Sequence, residues 1–105
     1  MRKGDIYLVD LGDGVGSEQE GTRPCVVIQG NKGNRFSTTT IVCPTTTSLG
    51  GFNATHLDVE LEKPSTVLVE QMRVIDNRRI KRFLGRLTKD EISKINDLIN
   101  LTLEL

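Results

Sequence analysis

The chain has 105 residues, 36% of them hydrophobic and 27% charged, with a formal net charge of zero. That size suits one domain, residues 1–105, with a core that needs no disulfides or metals. No apolar run is long enough to span a membrane, and the start MRKGDIYLVD has no long apolar stretch of a secretory signal, so a cytoplasmic protein is expected.

The first strand is expected over IYLVDL, residues 6–11. A long polar segment follows, including GSEQEGTRP at 16–24, where a plain hairpin needs only about two to five residues. Pro24 to Gln29 (PCVVIQ) is apolar at consecutive positions and reads as a second strand buried on both faces. Gly30 to Asn34 reads as a turn by composition. A third strand is expected over Thr39–Cys43, stopped by Pro44, and Gly50-Gly51 marks another break. Thr55 to Leu61 alternates, with Leu57, Val59 and Leu61 on one side and His56, Asp58 and Glu60 on the other. Thr66–Val69 is a fifth strand, and Met72–Ile75 extends or follows it. A short helical turn and then a strand are expected over Arg79–Leu87. Thr88-Lys89-Asp90-Glu91 has the form of a capping box, and Ile92, Ile95, Ile99 and Leu103 recur at helical spacing. A helix is therefore expected from Lys89 to Thr102. Short strands with one terminal helix make a mainly β (α+β) protein, a small, strongly bent sheet or barrel.

Cys25 and Cys43 each lie inside an apolar run and are expected to be buried free thiols. They form no CxxC pair, and the only histidine is His56, so no metal site is expected. One histidine also leaves no two-histidine ribonuclease mechanism, and His56 is expected at the surface rather than in a catalytic triad. The glycines of Gly12-Asp13-Gly14-Val15-Gly16 lack the Lys-Ser/Thr of a phosphate-binding loop. Zero net charge hides an asymmetry. Residues 73–86 hold Arg73, Arg78, Arg79, Lys81, Arg82 and Arg86 against Asp76 alone. One basic face toward a polyanion is compatible with that pattern.

Candidate chemistry rests with Arg23, Glu18, Gln19, the threonines Thr45, Thr46 and Thr47, and the pair Glu70-Gln71. An arginine at the foot of a buried strand either pairs with an acid at the sheet edge or aims a guanidinium at phosphate. The threonines are either a polar turn or hydroxyl donors to phosphoryl oxygens.

Seven segments carry a resemblance. They are GDIYLVDL at 4–11, GSEQEGTRP at 16–24, VVIQ at 26–29, NRFS at 34–37, TTIVCPTTT at 39–47, LVEQMRVID at 68–76 and LGRLT at 84–88. In this order the chain resembles the MazF/PemK family of toxin endoribonucleases from bacterial toxin–antitoxin pairs. The resemblance implies an SH3-like, PemK-type β-barrel with helices and a homodimer. It implies metal-independent, sequence-specific cleavage of single-stranded RNA, mainly mRNA, without a cofactor. It also implies neutralisation by a cognate antitoxin and arrest of translation and growth.

Carried over residue by residue, the catalytic pair is Arg23 and Thr46. Glu18, Gln19, Thr45, Thr47, Gln71 and Arg73 are the implied RNA-binding residues. The implied reaction is attack of the ribose 2′-OH on its own phosphate, giving a 2′,3′-cyclic phosphate and a 5′-OH. A fixed guanidinium and a hydroxyl donor suit the charge that grows on the phosphoryl oxygens. Glu18 is an alternative to Arg23 for the proton, since a guanidinium pKa above about 12 makes a poor base at neutral pH. Phe36 and Phe52 are candidate base stackers. The competing readings are a toxin of the same fold acting on DNA gyrase and an inactive antitoxin-binding module.

Overall fold

In the computed structural model, residues 1–48 and 54–105 are described. The Gly50-Gly51 break and Phe52 lie outside them. Seven strands form one antiparallel sheet: β1 (Asp5–Asp10), β2 (Thr22–Val27), β3 (Thr39–Thr46), β4 (His56–Glu60), β5 (Pro64–Leu68), β6 (Arg73–Asp76) and β7 (Ile80–Arg86). The order is β4-β5-β3-β2-β1-β7, with β6 also on β3. A short helix, α1, spans Asn31–Phe36, and α2 spans Lys89–Leu103.

The consecutive apolar run of β2 is buried on both faces, as its sequence predicts. Val26 and Ile28 join Ile6, Cys43, Val67 and Val69 in one core cluster, which α2 covers through Ile92, Ile95, Leu98 and Ile99. Cys25 and Val27 turn to the other face and join Val9, Leu11, Val42 and Ile75. Both thiols are free and buried. The helix starts where its cap predicts: the Thr88 side chain accepts the Glu91 N–H, and the Glu91 carboxylate accepts the Thr88 N–H.

The third strand does not stop at Pro44. It runs on to Thr46 because its outer edge changes partner there: β6 pairs with Thr39–Val42 and β5 with Thr45 and Thr46. The Ile28 N–H donates to the Ile41 carbonyl. By alternation Val26 and Cys43 form the next hydrogen-bonded pair, and the Pro44 nitrogen faces away from β2 into the gap between β6 and β5. A proline costs no ladder bond in that gap.

The expected turn at 30–34 is the helix α1. It buries no residue and contains Gly33, so it has no periodic apolar face to announce it. The Asn34 side chain ties it to the Gln29 carbonyl, and the Ser37 N–H closes its last turn on the Gly33 carbonyl. The expected helical turn before the last strand is one 3-10 turn, Asn77–Arg79.

The bent sheet approaches a barrel without closing. No ladder joins its two end strands, β4 and β7, among the described residues. Instead a cavity of about 600 Å³ lies between Leu84–Arg86 of β7 and Glu60–Lys63 of the β4–β5 turn. Register shifts along β7, between its partners Ile6 and Tyr7 and again between Leu8 and Val9, twist that edge.

Candidate active site and RNA groove

The segment between β1 and β2 is a closed loop. The Leu11 N–H donates to the Gly21 carbonyl and the Gly21 N–H to the Gly12 carbonyl, so the ladder continues across its base. Gly12, Gly16 and Gly21 have positive φ, which only glycine adopts without strain. Inside the loop the Val15 N–H donates to Glu18 Oε1 at 2.8 Å and the Gly14 N–H to Glu20 Oε2 at 3.1 Å.

Gln71 clips this loop to the sheet. Its Oε1 accepts the Gln19 N–H at 2.9 Å, and its Nε2 donates to the Ser17 carbonyl at 3.1 Å. Both ends of the Gln71 amide are thereby used. The Gln19 side chain differs: its Oε1 is buried and has no hydrogen-bond partner. Below the loop lies a groove of about 530 Å³, walled by Glu18, Gln19 and Gln71 and extended by Pro44, Glu70 and Arg73.

Arg23 stands in β2, paired with Val9 of β1. The β2–β3 register sets Cys25 opposite Pro44, where the ladder ends; continued two residues further, the same count falls on Arg23 and Thr46. Directly opposed residues share a face. The β2–β3 ladder stops short of this pair, since Pro24 has no N–H for Thr45. The Thr45 hydroxyl bonds the Pro24 carbonyl instead, at 2.8 Å.

Alternation along β3 therefore separates the threonines. Thr45 is 2% exposed with its hydroxyl committed to Pro24, while Thr46, by alternation, is on the opposite face with Pro44, and Thr47 is exposed. Thr46 Oγ1 accepts the Ser48 N–H at 3.1 Å. Arg73 pairs with Val42 and shares that face with Pro44 and Thr46.

Cys25 is buried within electrostatic reach of Arg73 and Arg23. Burial pushes its thiol up to about 12, while the positive charges of Arg73 and Arg23 pull the other way. Arg23 Nε donates to the Glu20 carbonyl at 2.7 Å, so the loop holds the arginine by its inner nitrogen.

Sequence reasoning missed the surroundings of Glu70. Its Oε1 lies 2.7 Å from His56 Nε2, and its Oε2 accepts from the Thr55 hydroxyl at 2.9 Å. Partial burial raises the Glu70 carboxyl, but hydrogen bonds from His56, its own backbone N–H and Thr55 outweigh that and leave its pKa below the usual value. His56 is thus a half-buried partner of a groove carboxylate, not a solvated surface group. A polar residue on an alternating strand gives no sign of a partner fourteen residues away. Phe36 is 78% exposed at the end of α1, with the Arg35 guanidinium over its ring. Among the described residues, no group of three or more His, Cys, Asp or Glu side chains is gathered to hold a metal ion.

Residues 2–103 match the family model described as the PemK-like, MazF-like toxin of type II toxin–antitoxin systems. A relative from Staphylococcus saprophyticus named Endoribonuclease MazF is 40% identical, the match covering all of this chain and 92% of the relative. The fold is similar to MazF from Deinococcus radiodurans, with a TM-score of 0.85 at 22% identity over 100% of this chain and 97% of that one. It is also similar to a mycobacterial endoribonuclease solved in complex with its cognate antitoxin, with a TM-score of 0.84 at 20% identity over 100% and 96% of the chains. The chain belongs to the PemK/MazF toxin family.

Proposed function

We propose that this chain is an endoribonuclease toxin that cuts single-stranded mRNA at a specific sequence, stops translation and is neutralised by a cognate antitoxin. What supports the reading is the β2–β3 register, which, continued two residues past its last pair, Cys25 and Pro44, brings Arg23 and Thr46, distant in sequence, opposite each other. The 40% identical relative named as an endoribonuclease favours RNA cleavage over action on gyrase or simple antitoxin binding.

The ribose 2′-OH attacks its own phosphorus, the P–O5′ bond breaks, and the products are a 2′,3′-cyclic phosphate and a 5′-OH. The 2′-OH requirement makes RNA the substrate. Negative charge grows on the non-bridging oxygens, where the Arg23 guanidinium and the Thr46 hydroxyl stabilise it. Nε of Arg23 is held by Glu20, leaving the terminal nitrogens for phosphate. Glu18 Oε1 is tied to the Val15 N–H, so Glu18 serves the loop as well as the groove.

Gln19, with its unpaired carbonyl, and Arg73 face the RNA, together with Thr47. Gln71 keeps the loop in place over the groove, and Thr45 braces the strand end. The domain formed by residues 1–105 acts as a homodimer in the cytoplasm, without a cofactor. No helix among the described residues is long and apolar enough to cross a membrane.

The test is incubation with a long single-stranded RNA in EDTA, with end mapping. Wild type gives discrete cuts with 5′-OH ends. Arg23→Ala gives none, and Arg23→Lys, which keeps the charge but loses the planar fork, is about 10²–10³-fold slower. Uncut RNA with a folded, antitoxin-free protein defeats the proposal.

A further inference from the structure

His56, the only histidine of the chain, stands at the end of the β4–β5 ladder, paired with Leu68. Past Leu68 the chain leaves the ladder as the 3-10 turn Val69–Gln71. Val69 is buried and fixes the base of that turn in the core, and its N–H donates to the Thr55 carbonyl at 3.3 Å. Three residues per circuit aim successive side chains about 120° apart, so Val69, Glu70 and Gln71 point three ways. Glu70 reaches back to His56 of β4, and Gln71 reaches across to the loop between β1 and β2.

Both arms of this turn are engaged. One Glu70 oxygen lies 2.7 Å from His56 Nε2, and the other accepts from the Thr55 hydroxyl at 2.9 Å. A carboxylate accepts only, so Nε2 carries the proton of the His56 contact whether the ring is neutral or charged. Gln71, the next residue, accepts the Gln19 N–H and donates to the Ser17 carbonyl. The loop in turn holds Arg23, whose Nε donates to the Glu20 carbonyl. The path from His56 to the guanidinium therefore runs through hydrogen bonds and short stretches of chain, each in place in the structure.

We infer that His56 is a positioning residue for the loop that walls the groove, acting through Glu70 on the Gln71 clip. A turn pinned only at its buried base can rock, and the Glu70 carboxylate pins its outer end. Glu70 is about a third exposed, so the bond to His56 is modest and sets aim more than stability. His56 itself touches none of the reacting atoms. The consequence for cleavage rests on the reading of Arg23 as the catalytic arginine.

The experiment is hydrogen exchange of the Gln19 amide, which Gln71 covers, followed by NMR in the free protein without RNA. The Ile28 amide, bonded to the Ile41 carbonyl across the sheet, is the internal control. His56→Phe keeps a ring and loses the N–H; it speeds Gln19 exchange about fivefold and leaves Ile28 as it was. His56→Gln, whose amide can place an N–H where Nε2 stood, returns Gln19 to the wild-type rate. An unchanged Gln19 rate in His56→Phe overturns the inference. So does a rise shared with Ile28, which would be general loosening, and so does a His56→Gln variant as fast as His56→Phe, which would make the ring's packing the cause. Single-turnover cleavage of an oligoribonucleotide carrying the mapped site supplies the second arm. There His56→Phe slows wild type about fivefold and adds nothing in a Gln71→Ala background, because both changes release the same clip. Losses that multiply overturn a route through Gln71. Uncut RNA with the wild-type protein defeats the nuclease reading and any role in cleavage, while the exchange rates still decide whether His56 holds the loop.

Discussion

Single residues in and beside the candidate site are distinguished by what already occupies their polar atoms. Gln71 has both amide ends engaged and Thr45 its hydroxyl, whereas the Gln19 carbonyl is buried and unpaired. An unpaired buried acceptor is costly. Glu70 carries a pH dependence whose sign follows from its neighbours. Its folded pKa is lowered, so the unfolded chain binds its proton more readily. The stabilisation is present above the ordinary carboxylate range, about 4.3, and is lost as pH falls through the folded value. The difference in melting temperature between wild type and Glu70→Gln is therefore largest near neutrality and shrinks below about pH 4. A difference that grows on acidification contradicts this assignment. Because Glu70 is about a third exposed, solvent screening keeps the effect small.

At the scale of elements, the apolar pattern made the long features legible. The buried strand β2, the inward side of β4 and the capped helix α2 follow from consecutive, alternating and 3.6-residue spacing. Two features escaped for physical reasons. Helix α1 packs no side chain into the core, so periodicity has nothing to register. β3 continues through a proline because two different strands share its outer edge, and only the topology reveals that. The threonine register was ambiguous for the same reason: composition cannot separate Thr45, Thr46 and Thr47 until strand alternation assigns each a face. Loop geometry was equally hidden, although its glycines mark it. A Cβ on Gly14 would meet the Glu18 carbonyl oxygen at 2.6 Å. Gly14→Ala therefore displaces Glu18 and Gln19 from the groove wall. The expected result is RNA cleavage about tenfold slower with the melting temperature nearly unchanged, read by initial rates and calorimetry. A wild-type rate would show that the loop's shape does not govern the site.

For the molecule as a whole, two cores on either side of one sheet hold the groove rigid. Ile95 is the buried anchor of α2, 2% exposed against the cluster that contains Val26, Cys43 and Val67. Ile95→Ala should cost about 2–5 kcal/mol in a urea unfolding experiment, a large share of a small domain's stability. A loss well below 1 kcal/mol would mean that the helix is only loosely docked. Cys25 and Cys43 lie at the centre of these cores, and burial lifts both thiols to about 12. The candidate site is thus mounted on strands whose inner faces are sealed, while its wall is a loop held by a few polar bonds.

The bond from Arg23 Nε to the Glu20 carbonyl gives that wall leverage over the chemistry. Glu20 belongs to the same loop that Gln71 fastens at Gln19 and Ser17. The aim of the guanidinium and the posture of the loop are therefore a single mechanical coordinate. On the function proposed above, a ligand that draws the loop off its clip swings the arginine without ever occupying the proposed phosphate position. Disarming this site takes a tug on its frame, not a plug in its mouth.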